Sequence, residues 1–241
     1  MGRSCYFWGV SEEQRPRKGE RTRGAILARA VEEATRIGLG GLTIGTLASA
    51  TGLSKSGLYA HFGSKEALQI AVLESAGAEF SDAVILPALR APRGLTRLRA
   101  LVDLWLTCGR RRHPGGSLLV KAGAELDDQP GPVRDHLRDL HARLADSLER
   151  IVAGAIATGE LDARTDPARF GADLYAVMLG YHHASRLLED PRAEDRALAA
   201  VEALVTAAQG PTTADTAASA TTAPSGTSTP SDARPPSDTR D

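Results

Sequence analysis

Residues 41–68 read GLTIGTLASATGLSKSGLYAHFGSKEAL, and this stretch decides the fold. Thr43, Ser54 and Ser64 each stand directly before a short run able to form a helix. A hydroxyl at that position accepts from the backbone N–H groups that the first helical turn leaves unpaired. Gly52 and Gly63 fall where the chain must turn sharply, in conformations that glycine alone adopts at little cost. The spacing therefore predicts a helix from Ile44 to Ala50, a second from Lys55 to His61, and a third that begins at Lys65.

Upstream, Ile26, Leu27, Ala30, Val31, Ala34 and Ile37 recur at helical spacing, which predicts a helix from about Arg21 to Ile37 with Gly38 as its stop. Leu39 to Leu42 form the loop that follows. Two short helices joined by a tight glycine turn make a helix-turn-helix. Leu47, Ala48, Leu53, Leu58 and Phe62 are its expected small core. The second short helix then presents Lys55, Ser56, Gly57, Tyr59 and His61 outward, few enough side chains to suit insertion into a DNA major groove.

Charge placement points the same way. The chain has 241 residues and a formal net charge of −1, yet basic side chains outnumber acidic ones between Arg15 and Lys65. Lys55 and Lys65 occupy the first position of a helix, where a cation opposes the macrodipole. That arrangement makes sense where a phosphate binds, drawn by ammonium, free N–H groups and dipole together. Taken singly, each residue has a plainer reading. Tyr59 can be a packing residue, Lys65 a solvated lysine and His61 a structural histidine. Their joint spacing around the caps and the turn glycine carries the inference.

Over these residues the chain resembles the TetR family of bacterial regulators. The resemblance runs through Gly41-Leu42-Thr43, Leu47-Ala48, Gly52-Leu53-Ser54, Gly57-Leu58-Tyr59-Ala60-His61-Phe62 and Ser64-Lys65-Glu66-Ala67-Leu68. It implies a three-helix DNA-binding domain, an all-α ligand-binding domain and a homodimer. It also implies phosphate contacts from Tyr59 and Lys65, and backbone or base contacts from Thr43, Lys55, Ser56 and His61. Gly45 and Gly57 depart from the pattern: relatives often carry a larger residue at the first, and the second removes a side chain that reads a base.

The rest of the chain is read as helical. Leu95 to Leu106, Val133 to Ala155, Phe170 to Leu188 and Ala197 to Ala208 each carry an apolar face at helical spacing, and no strand pattern is supported by turn signals. The expected class is all-α, with an irregular basic extension over 1–19, the helix-turn-helix domain over 20–64, a helical ligand-binding and dimerisation domain over 65–209, and a disordered tail over 210–241. That tail is Thr, Ala, Ser, Pro and Asp and has almost no large apolar residue to bury. The basic arm Arg15–Arg23 either reaches DNA or is a solvated terminus. The small residues Ala184, Ala197, Ala200 and Ala208 suit close approach of the last two helices to a second copy.

No catalytic set and no metal spacing appears, so an enzyme is not expected and no cofactor is implied. Cys5 and Cys108 form no framework, which fits a reducing cytoplasm, and no apolar run approaches a membrane span. A pocket between helices is the default input site, with Trp105, Cys108, Tyr175, Met178 and His182 as its candidate lining. Plain core packing is the alternative for each. His182 and His183 are adjacent and point about 100° apart on a helix, a poor metal pair. The reading is a ligand-responsive regulator, a repressor, that binds a palindromic double-stranded operator as a homodimer and is released by a small-molecule effector. Two alternatives stand beside it. One is an enzyme or carrier with a merely structural helix-turn-helix. The other is a redox or electrophile sensor acting through Cys108, its thiol activated by Arg110 to Arg112. Relatives often carry a cysteine after a Gly-Gly pair, and here Ser117 follows Gly115-Gly116.

Overall fold

The computed structural model describes residues 18–111 and 116–210. The expected features of 1–17 and 211–241, including Arg15 and Arg17 of the basic arm, lie outside the described residues. Among the described residues the secondary structure is helical, with no strand. In chain order the helices are α1 (Lys18–Ile37), α2 (Ile44–Thr51), α3 (Lys55–Phe62), α4 (Lys65–Phe80), α5 (Leu86–Arg90), α6 (Leu95–Arg111), α7 (Leu118–Leu126), α8 (Pro132–Ala157), α9 (Pro167–Arg186) and α10 (Ala193–Ala208). No helix among them is long and apolar enough to cross a membrane.

The local rules act as the sequence predicts. Thr43 Oγ1 accepts from Thr46 N–H, and the Thr46 hydroxyl in turn accepts from Thr43 N–H, a reciprocal capping box. Ser54 caps α3 through Gly57 N–H and Ser64 caps α4 through Ala67 N–H. Gly38, at φ +82°, ends α1, and Gly52, at φ +69°, makes the turn between α2 and α3. One feature escapes a 3.6-residue reading. Ser81–Ile85 form a π-helical turn between α4 and α5, and this wider turn brings Val84 and Ile85 inward together.

Two apolar clusters hold the chain together. The first joins α1, α2, α3 and α4 with α7 and the first half of α8. The second joins the π-helical turn, α5, α6, the second half of α8, α9 and α10. Leu47, Ala48, Leu58 and Phe62 are buried as expected, but Leu53 is 42% exposed. It stands in the turn rather than on either helix, and Leu47 and Leu58 already fill the seam. The core does not break where the helix-turn-helix ends, because α4 packs on both α1 and α8.

Helix α7 adds polar grips to this junction. Lys121 Nζ donates to the Thr35 carbonyl at 2.7 Å, near the end of α1. The Glu125 carboxylate accepts from Leu39 N–H at 3.1 Å and Gly40 N–H at 2.8 Å. Gln69, buried on α4, donates to the Leu39 carbonyl at 2.8 Å. The polar backbone of the loop before α2 is thus satisfied largely from outside itself, as buried backbone requires. Gly38 takes a left-handed φ that disfavours a side chain, and a Cβ there would displace the Glu125 carboxylate, 2.8 Å away at Oε1.

Candidate nucleic-acid interface and ligand cavity

The exposed surface of α2 and α3 is built by the caps. Each cap satisfies one N–H and leaves the first N–H groups of its helix without an intrahelical partner, among them those of Lys55, Ser56 and Lys65. Lys55, Ser56, Tyr59, His61 and Lys65 are exposed, and Thr43 is half-buried by its own capping box. Tyr59, at 61% exposed, is not a packing residue in this chain. All six expected contact residues therefore lie on or beside α2, α3 and the start of α4.

Two lysines converge on the beginning of α2. The Lys55 Cε carbon passes 3.8 Å from where a Cβ on Gly45 would stand, so the missing side chain at Gly45 leaves room for the lysine stem. Lys65 Nζ donates to the Gly40 carbonyl at 3.1 Å, just before the Thr43 cap, and an ammonium has further donors to spare. Gly57 also has a local reason. A Cβ there would press to 3.0 Å on Ser54 Oγ, the atom that caps α3. Arg23 of α1, read from sequence as part of a basic arm, lies over the Phe62 ring at 5.2 Å and ties α1 to the end of α3.

No Asp or Glu stands between Glu33 and Glu66 in the sequence. The carboxylate nearest to the loop, that of Glu125, arrives from α7 and is already bonded to Leu39 and Gly40 N–H. The α2–α3 surface thus presents ammonium groups, hydroxyls and helix N-termini without any carboxylate of its own.

The candidate ligand residues sort differently. A cavity of about 80 Å³ lies where α1, α4, α6, α7 and α9 meet. Trp105, Cys108, Met178 and His182 line it, together with Val31, Phe80 and Leu118. Phe80 meets the Trp105 ring edge-on at 5.1 Å. Tyr175 is not in that wall. Its ring packs behind Trp105, 6.1 Å between centroids, and its hydroxyl meets His141 Nδ1 at 2.7 Å. Burial pushes the Tyr175 phenol up to about 12, so it stays neutral beside that nitrogen. His141 is itself held below its ordinary value by burial, partly offset by its bond to the Leu119 carbonyl.

His182 carries an unusual atom. Its Nε2 is buried and has no hydrogen-bond partner. Burial first, then the positive charges of Arg186 and Lys121, hold the imidazole below its ordinary value. His182 is half-buried and neighbouring His183 is exposed, in line with their divergence on the helix. Cys108 is a half-buried thiol in the same wall as Trp105, while the side chains of Arg110 to Arg112 lie outside the described residues. Among the described residues no three His, Cys, Asp or Glu side chains group as metal ligands. Phe80, Leu118 and Leu119 were missed as cavity residues, since spacing marks an inward face without saying whether that face meets another helix or a void.

Two family models match the chain: "Bacterial regulatory proteins, tetR family" over residues 26–72, and "Tetracyclin repressor-like, C-terminal domain" over residues 94–201. No curated protein matches. Among solved structures, a TetR transcriptional regulator from Chloroflexus aurantiacus is 26% identical, with 79% of this chain and 96% of that chain covered and a TM-score of 0.70. A TetR-family transcriptional regulator from Cytophaga hutchinsonii is 20% identical, covers 83% and 100%, and has a TM-score of 0.73. AibR, solved in complex with isovaleryl coenzyme A and operator DNA, is 22% identical, covers 80% and 100%, and has a TM-score of 0.58. At 20–22% identity the last two show the fold alone.

Proposed function

Because the chain belongs to the TetR family of bacterial regulatory proteins, we propose that it is a cytoplasmic, ligand-responsive repressor. It binds a palindromic operator as a homodimer and a small-molecule effector releases it. The carboxylate-free surface of α2 and α3, with Lys55 and Lys65 flanking the start of α2, is the observation that carries the DNA-reading part. Lys55, Ser56 and His61 face the groove. Thr43, Tyr59 and Lys65 hold the phosphates on either side. AibR was solved with both an operator and an acyl thioester, which supports a DNA-binding role and a ligand role in one chain of this fold.

Release is supported by α7. Its first turn, Leu118 to Val120, lines the cavity, and its Lys121 and Glu125 grip α1 and the loop before α2. A ligand that moves this helix alters how α1 to α3 sit on DNA, provided it binds the two arrangements unequally. Dimerisation is supported by Leu179, Leu187 and Leu188, exposed on and just beyond α9, which packs on α10. A second copy covering these leucines sets two α3 helices for successive major grooves.

The test is footprinting on DNA upstream of the protein's own gene, with sedimentation to weigh the complex. A protected palindrome bound by two copies is expected. No specific protection at low salt, or protection unchanged in a Tyr59→Ala/Lys65→Ala variant, removes the reading. Cys108 lies beside Trp105 in the cavity wall, which supports ligand contact rather than oxidation. A response to peroxide lost in Cys108→Ser would reverse that preference.

A further inference from the structure

The cavity behind Trp105 does not end at His182. A second space of about 260 Å³ adjoins it and shares Gly116, Tyr181 and His182 with the first. Its other walls include Ser185, Arg186, Asp190 and Glu194. The two differ in chemistry. The first is walled by Phe80, Trp105, Leu118 and Met178. The second sets hydroxyl and charged groups among Pro191 and Ala193.

Gly116 marks the neck between them. A Cβ there would stand 2.9 Å from His182 Nε2 and 3.3 Å from Arg186 Nε, so the imidazole and the guanidinium both reach the space beside Gly116. Gly116 is at φ +83°, so a side chain is disfavoured on both counts. The buried Nε2 atom has no partner. A buried polar atom left unpaired is costly, and a ligand that supplies the partner recovers that cost.

The charges of the second space are unequally spent. Asp190 pairs with Arg196 and also accepts from Arg192 N–H. Glu194 is engaged as well. Arg186 is exposed and has no carboxylate or hydrogen-bond partner among the described residues. On the far wall of the first cavity Glu79 also has an interaction of its own. The free charge at the neck is therefore positive, and it adds to burial in holding the His182 imidazole below its ordinary value. A neutral imidazole can still donate from Nε2 in one of its two tautomers.

We propose that the effector is an amphiphilic organic acid, with an aromatic or similarly compact apolar body against Phe80 and Trp105 and an anionic head at His182 and Arg186. The proposal rests on the reading of this chain as ligand-responsive. The guanidinium takes the head in a charge-assisted bond and Nε2 donates to it. The apolar body replaces water along the ring faces, and the edge-on Phe80–Trp105 pair favours a flat group. A cationic head is repelled at the neck, and a neutral amide can accept from the guanidinium but forgoes the ion pair.

Calorimetry on the full chain tests this with one body and three heads: 4-phenylbutyrate, 4-phenylbutyramide and 4-phenylbutylamine. The acid is expected to bind at least about tenfold more tightly than the amide, and the amine not at all. Arg186→Gln, a change at an exposed side chain, should remove the acid's advantage over the amide. Trp105→Ala should weaken acid and amide alike. An amide or amine that binds as tightly as the acid overturns the proposal. So does an acid unaffected by Arg186→Gln, or an acid that does not bind. The underlying reading is judged separately, by operator release. Acids that bind here without releasing DNA defeat that reading and leave the head-group assignment standing. Amines or amides that release DNA do the reverse.

Discussion

The α2–α3 surface and the cavity behind Trp105 are made from the same helical material and put their working groups in opposite places. On the surface, side chains stand outward from capped helix starts, and almost nothing about them depends on distant packing. In the cavity, the groups turn inward and owe their properties to α1, α4, α6, α7 and α9 meeting around them. The first region is defined by local rules and the second by the closeness of fit between helices. Substitutions should therefore separate them: function without stability in one, both together in the other.

The largest effect is expected where the surface meets its own core. Leu58 is fully buried beneath α3. Leu58→Ala should cost about 2–5 kcal/mol of unfolding free energy, measured by urea denaturation, and should abolish DNA binding through loss of the fold. A loss under about 1 kcal/mol would mean that α3 is not held as described.

Next is Tyr59→Ala/Lys65→Ala. Operator affinity should fall about 10- to 100-fold, and the slope of affinity against salt should drop by about one phosphate contact for the lysine. The melting temperature should hardly change, because both side chains are exposed. A large fall in melting temperature would show that Lys65 serves the Gly40 carbonyl more than DNA.

Glu125→Ala comes third and tests the link between the two regions. It strips Leu39 and Gly40 N–H of their shared acceptor, at a cost of about 1–3 kcal/mol. Operator binding should survive at low temperature, while its response to ligand is blunted. Full response in this variant would place the coupling elsewhere.

The smallest effect is a pH dependence that belongs to the cavity side. His141 and His182 are both held below 6.5 in the folded chain, chiefly by burial. Unfolded, each takes up a proton at a higher pH than it does folded, so stability is full above about 6.5 and falls as the pH drops below that value. Thermal melts between pH 8 and 5 should show the decline, and His182→Asn should lessen it. A flat profile would show that neither ring is kept neutral by its surroundings.

The contrast also explains what the sequence disclosed. Thr43, Gly52, Ser54, Gly57, Ser64 and Lys65 announce themselves because caps and turns act over three or four residues, and the structure puts them where spacing predicts. Trp105, Met178 and His182 were named as lining, but so was Tyr175, whose hydroxyl turns to His141 instead. Nothing within reach along α9 distinguishes Tyr175 from Met178; the difference is set by what α6 and α8 bring opposite. Leu53 misleads for a related reason, since apolar character does not say whether a turn residue reaches the seam. The π-helical turn at Ser81 has no periodic signature of its own.

Helix α7 spans only about 13 Å at the usual rise per residue. Its wall residue Leu118 and its gripping residue Glu125 stand about two turns apart, with Lys121 between them. The wall residues Leu118 and Leu119 can be exchanged without touching Lys121 or Glu125. For anyone wishing to build a sensor from this chain, that makes α7 a natural splice point. New chemical inputs can be written into its first turn while Glu125 keeps its hold on the loop before α2.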